Sequence, residues 1–388
     1  MIPYGKQAIN QQDIDAVVDV LQSDFLTQGP QVPAFEKALT DYTGAQHALA
    51  VNSATSALHI ACLALGLGKG DWLWTSPITF VASSNCGLYC GASVDFVDID
   101  AQTYNLCPVK LEQKLISAKA TGTLPKVLVA VHLSGQPCEM QAIHRLSQAF
   151  GFYVIEDASH AIGGRYHDTP IGACEYSDIT VFSFHPVKIV TTAEGGAALT
   201  NNAELASKMN LFRSHGITRD PNLMQGEPQG AWDYQQLELG YNYRMTELQA
   251  ALGVSQMTRV DAFVSARHQL AKRYEQLLPT LPITLPVQLA NTYSGLHLYI
   301  IRLQLDKINK THQQVFDALR EQGIGVNLHY IPVHTQPYYQ QMGFKLGDFP
   351  LAEQYYQNAI SLPLFHTMTL TQQDQVIAAL THVLGNAS

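Results

Sequence analysis

The chain has 388 residues, room for two to three domains at about 150 residues each, and its 46% hydrophobic content supports a large core. Only 14% of residues are charged, and 23 Lys+Arg against 32 Asp+Glu leave a formal charge of −9. That balance excludes a general nucleic-acid binder, which needs a basic face, but not a binder of small anions.

No apolar run reaches the roughly 18–20 residues of a membrane helix, so no membrane partner is expected. The start, MIPYGKQAINQQD, lacks a basic segment followed by an apolar one, so no signal peptide is expected. The first elements are read from residue 47. HALAV (47–51) reads as a strand and 53–67 as a helix. DWLWTSP (71–77) is a strand, 79–91 a helix, and 92–100 a strand ending in acids. PKVLVAVHL (125–133) is a continuous β-branched run, hence a buried strand, followed by a helix over 137–150. Strands follow over 152–157, 178–185 and 195–200. This alternation predicts a mostly parallel sheet covered on both faces.

From residue 203 the pattern turns helical. One helix closes near Gly216, a Pro/Gly/Gln-rich excursion runs over 217–240, and one long helix is expected over 246–278. The prolines of LPTLPITLPV (278–287) mark a boundary. A strand (297–305), a helix (311–324), a strand (325–332) and two helices, near 350–360 and over 371–384, complete the pattern. The expected fold is α/β: a large domain over 1–255, opened by an N-terminal arm (1–30), and a small α+β domain over 256–388.

Six cysteines, none in C-x-x-C, are expected as free thiols in a reducing, cytoplasmic compartment. Fifteen histidines show neither H-E-x-x-H nor zinc spacing, so no metal site is expected.

Four features carry chemistry. Asp157 ends the apolar strand FYVIED, where an open parallel sheet presents ligands; taken alone, capping the next segment is the plainer reading. Lys188 lies between Val187 and Ile189. Held in an apolar pocket, a lysine loses its proton and can form a Schiff base; snorkelling to water is the alternative. NSATSAL (52–58) puts hydroxyl residues at a helix start, an anion nest or plain N-capping. Phe80 sits just past a strand end, as core or as a platform. A carboxylate for a pyridinium, a lysine for an aldehyde, a nest for a phosphate and a ring for stacking are what pyridoxal 5′-phosphate requires. A dinucleotide fingerprint would need G-x-G-x-x-G where this chain reads N-S-A-T-S-A.

The segments NSATSALH, SPITFVAS, VIEDASHAIG, VFSFHPVKIVTTAEGG, LFRSHGI and LGYNYRMTELQAALG stand in one order along the chain. In them the chain resembles the DegT/DnrJ/EryC1/StrS sugar aminotransferases, fold-type I pyridoxal-phosphate enzymes. The resemblance implies Lys188 as the lysine that carries the cofactor and Asp157 as the partner of its ring nitrogen. It implies Phe80 as the stacking ring, Ala54, Thr55 and Ser183 as phosphate contacts, and His160 beside the phenolic oxygen. It further implies a homodimer in which Asn242 reaches the partner's phosphate. Tyr4, Asp24, Phe25, Leu26, Thr27, His329 and Tyr330 are implied as substrate contacts. Many relatives carry glycine where this chain has Ala54, so Ala54 must fit the nest without glycine's freedom.

LTQGPQVPAFEKAL and the Lys188 segment resemble most the branch that makes a precursor of pseudaminic acid. The implied reaction moves the amino group of L-glutamate to C4 of UDP-4-keto-6-deoxy-N-acetyl-β-L-altrosamine. The alternative is the branch that makes UDP-4-amino-4-deoxy-L-arabinose.

Overall fold

A computed structural model describes residues 1–226 and 228–385. Seven strands form the central sheet: β1 (His47–Val51), β2 (Trp72–Thr75), β3 (Ser93–Phe96), β4 (Val127–Val131), β5 (Tyr153–Asp157), β6 (Ile179–Ser183) and β7 (Gly196–Thr200). Their order is β1-β7-β6-β5-β4-β2-β3, and β7 alone runs antiparallel to its neighbours. The period of two divides the apolar side chains between the faces. Leu128 and Ala130 join one core cluster; Val127, Val129 and Val131 join the other. A strand buried on both sides therefore reads as one continuous apolar run.

Register brings the chemistry to one edge. Val131 pairs with Asp157, Asp157 with Val181, and Gly196 with both Ser183 and Val51. The carboxyl ends of four parallel strands, β1, β4, β5 and β6, thus lie along one edge with the start of β7. Helix α3 (Ala54–Ala64), the third in the chain after α1 (Gln11–Leu21) and α2 (Gln31–Thr43), leaves from that edge and is capped by Ser53, whose hydroxyl accepts from Ser56 N–H. Helix α4 (Ala82–Tyr89) follows β2 there. A Cβ on Gly196 would stand 2.4 Å from Ala54 N and 2.6 Å from Ser53 O. Glycine is required because two backbones touch. Gly196→Ala is expected to cost about 1–3 kcal/mol of stability, read as a lower denaturation midpoint; an unchanged midpoint would mean that α3 can move off β7.

Helices α5 (Pro108–Thr121), α6 (Met140–Phe150) and α7 (Ala203–Arg213) follow. After α7, Gly216 takes a positive φ of 69° and its N–H bonds Leu211 O. The expected long helix over 246–278 is instead two, α8 (Glu247–Met257) and α9 (Val260–Leu277). The break frees Arg259 to hold Asp13 of α1, whose buried carboxylate also accepts from Ser255 Oγ at 2.6 Å and Gln256 Nε2 at 2.9 Å. Helix α9 then passes between cores: Val260, Phe263 and Val264 pack with the large sheet, and Leu270, Ala271 and Tyr274 with a small antiparallel sheet. That sheet joins β8 (Ile283–Thr284), β9 (Tyr299–Leu303) and β10 (Ala359–Leu362).

The expected strand over 325–332 does not form. Ile324–Gly325 pairs with Ile2–Pro3, and Asn327 bridges Ser361. Beyond that the segment runs irregularly along a cavity, its backbone held by side chains: Tyr355 Oη donates to His329 O at 2.5 Å. Pairing with Ile2–Pro3 also delivers Tyr4 to the same cavity. No described helix is long and apolar enough to cross a membrane.

Candidate active site

A cavity of about 590 Å³ opens at the strand edge. It gathers Tyr4, Ala54, Thr55, Phe80, Asp157, His160, Ser183, Lys188, His329 and Tyr330 from among the residues expected of the site.

Asp157 is buried, and both its oxygens are engaged. Oδ2 accepts from Ser83 Oγ at 2.6 Å; Oδ1 accepts from Ser159 Oγ at 2.6 Å and Ser159 N–H at 3.2 Å. Thr79 Oγ1, just before α4, lies 2.7 Å from Ser83 Oγ, so the turn into α4 and its first turn supply a short hydroxyl chain. Three donors on one carboxylate fix its plane.

Lys188 lies in the loop between β6 and β7, and its Nζ has neither hydrogen-bond nor carboxylate partner among the described residues. Burial pushes its pKa down to about 8, opposed by the charge of Asp157. At neutral pH a measurable share of such a lysine is a free amine.

His160 Nδ1 accepts from Ser134 N–H at 3.3 Å, so its proton sits on Nε2, 3.2 Å from Tyr330 Oη. Burial, then the charge of Lys188, hold its pKa well below the usual value. His160 is therefore a neutral donor through Nε2–H. Ser134 makes this possible from a left-handed conformation, φ 62°. His329 is likewise neutral, its pKa lowered to about 3 by burial and by Lys188.

At the start of α3 the N–H groups of Ala54 and Thr55 have no acceptor among the described residues, as expected of a first helical turn. Ala54 has helical geometry, and the extended residue is Ser53 (φ −165°, ψ 157°), so no glycine is needed there. Phe80 is 59% exposed, an aromatic face turned to the cavity, with its ring 6.3 Å from that of Tyr330.

Five expected residues stand apart. Asn242 is exposed and outside the cavity, as are Asp24, Phe25, Leu26 and Thr27. The second group lies against the start of α8, four residues beyond Asn242: Thr27 bridges Thr246, and Leu26 O accepts from Glu247 N–H at 3.0 Å, while Asn242 bridges Ser214. Residues the sequence reading did not single out also line the cavity or hold its walls. Ser159 was visible as the hydroxyl two places after Asp157. Ser83, Ser134 and His297 reach the site only through tertiary contacts.

The chain matches the DegT/DnrJ/EryC1/StrS aminotransferase family over residues 7–381. It is 38% identical to the spore coat polysaccharide biosynthesis protein SpsC of Bacillus subtilis, over 100% of this chain and 98% of that protein. It is 36% identical to the UDP-4-amino-4,6-dideoxy-N-acetyl-beta-L-altrosamine transaminase of Campylobacter jejuni, over 99% and 98%. Among solved structures, Helicobacter pylori PseC, an aminotransferase of pseudaminic acid biosynthesis, superposes with a TM-score of 0.90 at 31% identity, covering 99% of each chain. The sugar aminotransferase Spr1654 of Streptococcus pneumoniae in its pyridoxal-phosphate form superposes at 0.88 with 27% identity, covering 100% and 99%.

The cofactor of these enzymes bears a phosphate, an aldehyde and a pyridine ring. The cavity offers free N–H groups at a helix start, an unpaired amine, a fixed carboxylate and an exposed ring face, so the residues present fit it. The chain belongs to the DegT/DnrJ/EryC1/StrS family of pyridoxal-phosphate-dependent sugar aminotransferases.

Proposed function

We propose that the enzyme transfers the amino group of L-glutamate to C4 of UDP-4-keto-6-deoxy-N-acetyl-β-L-altrosamine. The observation that carries this reading is the full-length likeness to the Campylobacter transaminase, with PseC sharing the fold. When bound, pyridoxal phosphate supplies an aldehyde for amines and a ring that stores the electron pair left at the reacting carbon.

The residues divide the work. The Ala54 and Thr55 N–H groups and the Ser183 hydroxyl hold the phosphate. Phe80 covers one ring face. Asp157, held by Ser83 and Ser159, keeps a proton at the ring nitrogen. His160 Nε2–H donates to the phenolic oxygen. Lys188 Nζ would hold the cofactor's aldehyde. It takes the α-proton of glutamate in the first half of the cycle and delivers a proton to C4 of the sugar in the second. A pKa near neutrality suits both acts. Tyr4, His329 and Tyr330 face the acceptor. Donor and acceptor occupy one cavity in turn, so the kinetics are ping-pong.

The acceptor is tested by running the enzyme on this sugar and on the aminoarabinose precursor, the 4-keto pentose, at one glutamate concentration. A C6 methyl buried against Tyr4 contributes about 0.8 kcal/mol, and a matched N-acetyl hydrogen bond about 1 kcal/mol. The expected preference for the hexose is about ten- to a hundredfold in kcat/KM. Equal efficiency, or preference for the pentose, assigns the enzyme to the aminoarabinose branch.

The active form in this reading is a homodimer. Asn242 and Asp24–Thr27 are exposed and outside their own cavity, which suits service to a second copy. Phe25 then contacts substrate across the interface. Lys188→Ala and Asn242→Ala chains, each inactive alone, are expected to regain activity when mixed, because one site per heterodimer holds both native residues. No recovery despite demonstrated subunit exchange contradicts the shared site, as does full activity of Asn242→Ala alone.

A further inference from the structure

The loop from Asp24 to Pro30 is pinned at both ends by one residue, Glu247, which opens α8 and is fully buried. Its N–H belongs to the first helical residue and so has no partner within the helix; it donates to Leu26 O at 3.0 Å. Its carboxylate holds the other end. Oε2 accepts from Gln31 N–H at 2.6 Å and Oε1 from Val32 N–H at 3.3 Å. These are the first two N–H groups of α2, whose own cap position holds Pro30 and offers no side-chain acceptor. A negative charge at a helix start meets both orphan donors and the helix dipole. Among the described residues the buried carboxylate has backbone donors and no cation. The loop between the pins has no slack. Gln28 takes a positive φ of 55°, and a Cβ on Gly29 would stand 2.6 Å from Phe25 Cβ and 2.8 Å from Glu247 Oε2. Farther along, Phe35 of α2 packs on Gly253 of α8, where a Cβ would stand 2.7 Å from its ring, so α2 cannot slide on α8. A local Ser or Asp at the cap position would satisfy α2 alone; a carboxylate brought from α8 fixes the loop as well. What the clamp presents is apolar and turned outward: Phe25 is 54% exposed and Leu26 49%.

We propose that Glu247 is a positioning residue for the sugar substrate: by clamping both ends of this loop it sets Phe25 at the height and angle that a second copy's cavity requires. The inference rests on the shared-site reading above, in which Phe25 meets the acceptor across the interface. Lys188 and Asp157 serve glutamate inside the cavity, so the clamp bears on the sugar half of the cycle and not on the glutamate half. It acts through Phe25 and touches no reacting atom.

The test splits the two half-reactions in the holoenzyme. The acceptor used is the better of the two 4-keto sugar nucleotides compared above, so the choice of sugar does not decide the outcome. Glu247→Gln keeps the size but sets an amide N–H against one of the backbone N–H groups. The KM for the sugar is expected to rise about five- to twentyfold, while single-turnover release of 2-oxoglutarate from glutamate stays within about twofold of native. Gly29→Ala pushes on the same loop without altering the charge and is expected to raise the same KM, which keeps the test in force if Glu247→Gln does not fold. Added to Phe25→Ala, Glu247→Gln is expected to raise the sugar KM no further, because it acts through that ring. Equal loss in both half-reactions means that Glu247 holds only the fold and overturns the proposal. So does a sugar KM that Phe25→Ala raises and Glu247→Gln leaves unchanged, or a double variant whose effects simply add. A sugar KM that Phe25→Ala leaves unchanged overturns the shared-site reading itself, and this inference with it.

Discussion

Lys188→Ala is expected to leave the fold intact and to slow the glutamate half-reaction by about 10⁴-fold or more, since one group supplies both the covalent attachment and the proton transfer. Lys188 lines the cavity and its amine has no hydrogen-bond or ion-pair partner among the described residues, so no such contact is lost with it. The cation destabilises the fold wherever it is charged. Its folded pKa of about 8 lies below the unfolded value. The penalty is therefore full below about pH 8 and fades as pH rises toward about 10.4. Cofactor-free Lys188→Ala should thus melt no lower than the native apoprotein at pH 7. The direct check is borohydride reduction of the holoenzyme followed by peptide mapping. The label is expected on the Lys188 peptide of the native chain and absent from the variant. A reducible linkage, or turnover, that survives in Lys188→Ala contradicts the role.

Asp157→Asn has the second largest expected effect. The substitution keeps the shape, and the Ser83 and Ser159 hydroxyls can rotate to accept or donate. An amide cannot hold the ring nitrogen protonated. Loss of a charge-assisted hydrogen bond costs about 1.5–3 kcal/mol of cofactor affinity. The single-turnover rate with glutamate is expected to fall by about 10²–10⁴-fold, more than affinity does. An unchanged rate means that another acid holds the ring nitrogen.

The sheet and the residues at its edge were legible because their signals are local. VLVAV and FYVI are continuous apolar runs, Asp157 closes the strand of the second, and Ser183 closes the strand ITVFS. Lys188 stood out as a charge among aliphatic neighbours. Residues 325–332 misled because NLHYI alternates like a strand while Asn327–Tyr330 line a cavity and the backbone at His329 bonds to Tyr355. The single helix expected over 246–278 missed a break that neither proline nor glycine marks and at which Arg259 meets Asp13 of α1. Helix α1 carries its own signal, the Asn10–Asp13 capping box, unread beside an expected arm. Ser83, Ser134 and His297 come from three separate elements, and no sequence spacing joins them to Asp157 or His160.

The account rests on nitrogen moving from glutamate to the sugar. The most direct measurement gives the holoenzyme ¹⁵N-glutamate and the 4-keto altro sugar nucleotide and follows both products by mass spectrometry and NMR. The predicted result is one ¹⁵N at C4 of the sugar for each 2-oxoglutarate released. Unlabelled sugar, or 2-oxoglutarate formed without an aminated sugar for any 4-keto nucleotide offered, would contradict it.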